Sequence, residues 1–411
     1  MRARAQAALI PLLLLAACRG VFGIDDSQPL VSDPDAGDAA TLADGESAID
    51  AAHDSGLASG DASKDAGKDA GPSLCPSSAA ACQPQTVVTG LLSPGQINVM
   101  GTKLAFREHA KIDGGKVSAV RVWDPAGACS MGSCLPTVTT GPDNYTRLAT
   151  NAAHICFTSE SYASNEYVTC KKTDSAFTDE RTVTDETWFY QAEFVETDTL
   201  LYGGPVTSTT RAVRVIEPTT AKPAYSALSG LIGTVDYVAA NPNPAEMWFG
   251  WVDSYFGMGT DNIGSRNIAD QKAFDFTPQN EVVGLTTVDD NLVWATFYDI
   301  RVSRYTASGL GTLLPPSNAV TCDQGTMTAY KDITRAPNAV VAIEGCDIPG
   351  SLGSKLVLYP LDGSQPQLLA TSLNSLTSAV VLGDYVYYTI GRLAADLTSV
   401  PTEEIRRVRW H

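Results

Sequence analysis

The sequence predicts an all-β protein: a seven-bladed β-propeller of four-stranded blades, its ring closed by the N-terminal strand, behind a disordered tail. The long C-terminal part is rich in β-branched and aromatic residues, has frequent turn-formers and offers few stretches of helical period. An apolar strand, usually with an aromatic at its third place, recurs seven times, ending at Phe106, Phe157, Tyr202, Phe249, Trp294, Ala342 and Tyr387. The intervals are 51, 45, 47, 45, 48 and 45 residues, and a period of about 40–50 with several strands per unit marks a propeller. Finally, the chain stops just after the seventh return strand, "IRRVRW", so the seventh blade lacks an outer strand. "TVVTG", Thr86 to Gly90, supplies it from the other end and leaves no long open edge.

Each unit fills in from its marked strand. Return strands such as "VSAVRVWD", "YVTCKKT" and "KLVLYPLDG" come next, then outer strands such as "PTVTTG" and "ERTVTD". Inner strands follow, among them "RLAT", "AEFVET", "VDYVAAN" and "AYKDITRA". Two stacked sandwiches would also be all-β, but they would not give seven near-equal intervals. The aromatic strands "NLVWATFYDIRVSRYTASG" and "DYVYYTIG" resemble, loosely and over one hairpin per blade, the YWTD-like strand of extracellular and bacterial propellers. That resemblance implies the fold and carries over no functional residue.

The chain opens with Met-Arg-Ala-Arg and an apolar run from Ala5 to Ala17. This is short for a membrane span of about 20 residues and right for a signal peptide over 1–17. The end of the run, Leu15-Ala16-Ala17-Cys18, resembles a bacterial lipobox, which implies cleavage before Cys18 and lipidation of its sulfur and new amino terminus. More than one acyl chain makes a stable anchor. Arg19, in place of Asp, points to the outer membrane of a cell envelope.

Residues 18–74 form the second region, an Asp/Ala/Gly/Ser linker. From Arg19 to Leu74 it carries twelve acids against three bases, too polar to offset chain entropy. As a coil it spans roughly 40 Å and lifts the domain off the bilayer. Such tethers after a lipobox resemble those of myxobacteria. "DPDAGD" from Asp33 lacks the ligand ladder of a calcium loop.

The propeller, 75–411, holds 34 acids and 23 bases, a charge of −11, while the linker's −9 equals half of the overall −18 and need not describe a partner. With no basic patch, nucleic acid is not an expected partner.

With Cys18 lipidated, eight cysteines remain, and an exported domain favours disulfides. The repeat places four local pairs: Cys75 with Cys82, Cys129 with Cys134, Cys156 with Cys170, and Cys322 with Cys346. Zinc would want Cys-x-x-Cys pairs or histidines at fixed spacing, whereas His53, His109, His154 and His411 lie in unrelated segments. No metal or cofactor is expected.

No Gly-x-Ser-x-Gly elbow or phosphate-cradling loop is present, and the chain is not expected to be an enzyme. The nearest cluster is "FREHAKID", where Arg107 and His109 share one face of a strand. The loops after the marked strands open on one face of the ring and are long and uneven, which is where function collects on a rigid scaffold. In the fourth, Trp251, Tyr255, Phe256 and Met258 surround Asp253 and Asp261. Aromatics there suit contact with a protein or carbohydrate. Alternatively, Trp251 and Phe256 cover the channel mouth or pack on blade five. The expected activity is therefore binding or assembly by an envelope lipoprotein, with a hydrolase or lyase at the channel mouth, or a scaffold subunit, as alternatives.

Overall fold

The computed structural model describes residues 82–411 apart from 113–114, 142–143, 161–165, 185–191, 206–210, 221–222, 224, 232–233, 242–246, 255–259, 278, 280, 318–327, 347–353, 373–374 and 392–402. Seven four-stranded antiparallel sheets make a seven-bladed propeller. Blades one to six each use four consecutive strands, and blade seven combines Ser375–Leu382, Tyr385–Gly391 and Glu403–Arg409 with the N-terminal strand Gln85–Leu91. Thr86 faces Arg406 and Val88 faces Ile405 across that closure, and the Thr86 hydroxyl donates to Glu404 Oε2 at 2.8 Å. Every segment matched to a marked, return, outer or inner position in the sequence takes that position. The inner strand of blade one, Pro94–Met100, completes the set.

The core is divided among the seams. Seven apolar clusters each draw on two adjacent blades, so each seam has its own buried layer. Six of the seven marked residues, Phe106, Phe157, Tyr202, Phe249, Trp294 and Ala342, face the seam with the preceding blade. In blade seven that place belongs to Tyr388, while Tyr387 turns toward blade one. The repeat is therefore shifted by one residue there, and in a strand a one-residue step changes the face.

The disulfides follow the local pairing. Cys129 bonds Cys134, and Cys156 bonds Cys170 from directly opposite positions in the second hairpin. Cys82 is disulfide-bonded, Cys75 and Cys322 lie outside the described residues, and Cys346 ends the second strand of blade six.

The inner strands surround the axis: Pro94–Met100, Asn144–Thr150, Ala192–Glu196, Thr234–Ala240, Val282–Val288, Thr328–Ala336 and Ser375–Leu382. In six of them the pairing with the second strand slips near the start, leaving Gly95 and Gln96, Thr146 and Arg147, Asp236, Val283, Lys331 and Thr377 between register points. The slip in blade three lies instead between Phe194 and Glu196. A bulge leaves a residue unpaired and re-aims side chains. Repeated at one level, it produces a ring of irregular positions at the end of the channel that receives the connections between blades.

Candidate ligand-binding channel

The inner strands enclose a cavity of about 520 Å³. Among the described residues its charged lining consists of Arg107, Arg147, Lys331 and Arg335 with Glu193 and Asp332.

Arg107 reaches the cavity from the second strand of blade one, Lys103–Ile112. Its guanidinium lies over Gly95, where an added Cβ would stand 2.9 Å from both Nε and Nη2. The bulge and the missing side chain together make that seat. Strand alternation turns the next residue, Glu108, the other way, where it accepts from Arg121 Nε and from the Leu92 N–H at 3.1 Å. Burial, with repulsion from Arg147, lowers the Arg107 pKa to about 10, so the group stays charged near neutrality but in an unfavourable setting.

Arg147 sits at the blade two bulge. Besides repelling Arg107, its charge favours ionisation of Asp332 and Tyr237. Asp332, on blade six, accepts from the Ser378 hydroxyl and from the backbone N–H groups of Ala379 and Ile333. Burial nonetheless pushes it up to about 6, and burial also raises the Tyr237 phenol. Other polar lining residues act as structure: Gln96 exchanges two hydrogen bonds with the backbone of Leu148, at 3.0 and 2.9 Å, and Asn98 donates to the same carbonyl at 3.0 Å.

The other sequence-derived candidates fall in different places. Trp251 and Asp253 belong to the strand Trp248–Ser254, so neither is a loop residue. Trp251 is 7% exposed and packs in the seam with blade three, rather than on blade five, against the flat space left by Gly264. Asp253 is buried and, with Asp261, raises Asp236 to about 6, burial being the larger cause. Tyr255, Phe256 and Met258 lie outside the described residues. His109 stands opposite Ser118, two places beyond Arg107 in the same strand. His154, first in the second strand of blade two, is buried with Nε2 2.9 Å from Glu180 Oε2 and Nδ1 2.9 Å from the Thr197 carbonyl.

Sequence reasoning thus placed Arg107 at a strand end without its channel, and it passed over Arg147, Lys331, Asp332 and Tyr237. The available signal was charge within segments assigned to the inner strands, such as "RLAT" and "AYKDITRA".

The sequence matches no protein-family model and no curated protein. Among solved structures, the β-propeller domain of the Trilobed protease from Pyrococcus furiosus, described as having an open velcro topology, aligns at a TM-score of 0.50 and 9% identity. That alignment covers 77% of this chain and 95% of the other. Hydrazine synthase of Kuenenia stuttgartiensis gives 0.52 and 10%, over 79% and 97%. Prolyl oligopeptidase B of Galerina marginata gives 0.51 and 8%, over 79% of this chain and 51% of that one. At such identities the likeness is to the propeller fold alone.

Proposed function

We propose that the chain is an envelope lipoprotein, anchored through Cys18 and set off from the membrane by the acidic linker, whose propeller binds a ligand in its axial channel. The channel carries this reading. It combines a cavity of about 520 Å³, the size of a small-molecule site, with convergent charged groups on rigid strands. Trp251 no longer supports a site on the fourth loop, because its ring is committed to the core.

Val283, a bulge residue lining the channel, gives the test. Full-length wild type and Val283→Trp are recovered from the native envelope under mild conditions, and the small molecules that accompany them are compared by mass spectrometry. A folded variant that loses a species retained by wild type supports channel binding. An identical set from both proteins removes it.

One observation favours a catalytic variant of the same site. A carboxyl titrating near 6, hydrogen-bonded and facing a cation, suits acid–base chemistry. In that case Asp332→Asn would retain the ligand but no longer convert it.

A further inference from the structure

We infer that Lys331 is a covalent capture site in the channel, its amine forming an imine with the aldehyde group of a small organic ligand. This rests on the channel being the binding site and names the bond that holds the ligand there.

The surroundings of the amine carry the inference. Lys331 belongs to the inner strand Thr328–Ala336, at the bulge between Tyr330 and Asp332, where it lines the cavity and is half-buried. A residue released from the strand ladder is one that a bulge can re-aim. Lys171, Lys172 and Lys272 each stand within ion-pair distance of a carboxylate, at 2.8, 3.5 and 2.9 Å. Lys331 makes no ion pair or hydrogen bond among the described residues.

The groups that could hold its proton are engaged elsewhere. Asp332, the next residue, accepts from the Ser378 hydroxyl and from the N–H groups of Ala379 and Ile333. The bulge residue of blade five, Val283, has no polar side-chain atom. That of blade seven, Thr377, has its hydroxyl 3.1 Å from the Pro94 carbonyl and 2.6 Å from Thr389 Oγ1.

Burial lowers the Lys331 pKa, because desolvation disfavours the ammonium form. A desolvated lysine of this kind is a nucleophile suited to Schiff-base chemistry. The step balances without a co-reactant. Nζ attacks the carbonyl carbon, a C=N bond replaces C=O, and the oxygen leaves as water with the two amine protons. Hydrolysis reverses it and releases the ligand.

Reductive trapping on the full chain tests this, with butanal as the probe, sodium cyanoborohydride to fix any imine as a secondary amine, and peptide mass spectrometry to locate the label. At neutral pH Lys331 should be labelled ahead of Lys272, although Lys272 is 69% exposed. Sodium borohydride added while the protein is recovered from the native envelope should leave an adduct on the Lys331 peptide of wild type. Lys331→Arg keeps the positive charge without the amine, and it should fold, carry no adduct there and lose the captured species. Labelling of Lys331 no faster than Lys272, or the same native species retained by wild type and Lys331→Arg, overturns the covalent assignment. If Val283→Trp still empties the channel of its native ligand, only that assignment falls; if Val283→Trp changes neither the recovered species nor the labelling of Lys331, the channel reading falls with it.

Discussion

Arg335 and Glu193 meet across the axis of the ring, Nη2 to Oε1 at 2.7 Å, although their strands belong to blades six and three. The other oxygen of Glu193 accepts from the Ala240 N–H of blade four at 2.9 Å, and Thr287 of blade five donates to the Ala240 carbonyl. Four blades are thus tied together near the end of the channel where inner strands turn into second strands. Neighbouring blades already share apolar seams, so this strut adds a connection that the seams do not provide.

The strut should be measurable as coupling. Arg335 is 42% exposed, which weakens the Coulomb attraction, while the more buried Glu193 fixes the geometry. In a double-mutant cycle with Arg335→Ala and Glu193→Ala, denaturant unfolding should give an interaction energy of about 0.5–1.5 kcal/mol. A value indistinguishable from zero would mean that the strut is an incidental surface pair.

Trp251 leads to a different expectation from the one its sequence context suggests. Removing a buried indole costs about 3–5 kcal/mol, so Trp251→Ala should lower the unfolding midpoint sharply. Its ligand affinity, measured where the protein remains folded, should match that of wild type. A stability change below about 1 kcal/mol would contradict the seam packing.

The contrast between Trp251 and Tyr388 shows what pattern alone could resolve. The repeat was legible because each seam takes an apolar residue at an equivalent depth, an aromatic one in every seam but that of Ala342, and that requirement fixed blade number, strand order and closure. Tyr387 and Tyr388 are both aromatic and both buried, so composition did not choose the phase in blade seven. The channel was less legible for another reason. Its chemistry arises where bulges break the alternation at Arg147, Lys331 and beside Gly95, and alternation is the signal on which strand reading depends. Trp251 looked like a loop residue because the strand Trp248–Ser254 runs longer than the repeated triplet suggested.

Asp236 should make stability depend on pH. Its folded pKa is raised to about 6 by burial and by the charges of Asp261 and Asp253, against an ordinary value of 3.8. Between those values the folded state holds more protons than the unfolded chain, so this group favours folding most below about 3.8 and progressively loses that contribution as pH rises through 6. Asp236→Asn keeps an acceptor for Ser254 and removes the charge. Relative to wild type it should gain on the order of 2 kcal/mol at pH 7.5 and little at pH 4. An identical difference at both pH values would show that Asp236 is not titrating as described.

The two disulfides whose cysteines both lie among the described residues should differ in weight. Cys156–Cys170 closes a separation of 14 residues and Cys129–Cys134 one of 5. In the chain-entropy model these contribute about 3 and about 2 kcal/mol. The first also lies within the seam between blades two and three, so replacing it with Ala disturbs packing as well. Unfolding of Cys156→Ala/Cys170→Ala should therefore show the larger loss, and a reversed order would place the effect in the native turn around Cys129 instead.

Closure gives the sharpest comparison, because the outer strands of blades five and seven are under different demands. The outer strand of blade five is only Thr312–Leu313, with Leu313 53% exposed. In blade seven, Gln85–Leu91 buries Val88 completely and Leu91 almost so, against Ile405, Tyr387 and the first blade. An aspartate on the two outer strands therefore meets opposite surroundings. Leu313→Asp should stay within about 0.5 kcal/mol of wild type, as surface changes do. Val88→Asp must desolvate a carboxylate inside the closing seam and should cost more than about 3 kcal/mol, or detach the strand altogether. Detachment would bare the edge of Glu403–Arg409 and let blades one and seven part, so the change should appear as early protease cleavage near both termini before global unfolding. Equal, small effects of the two substitutions would mean that the ring holds without its closing strand, carried by the apolar seams alone.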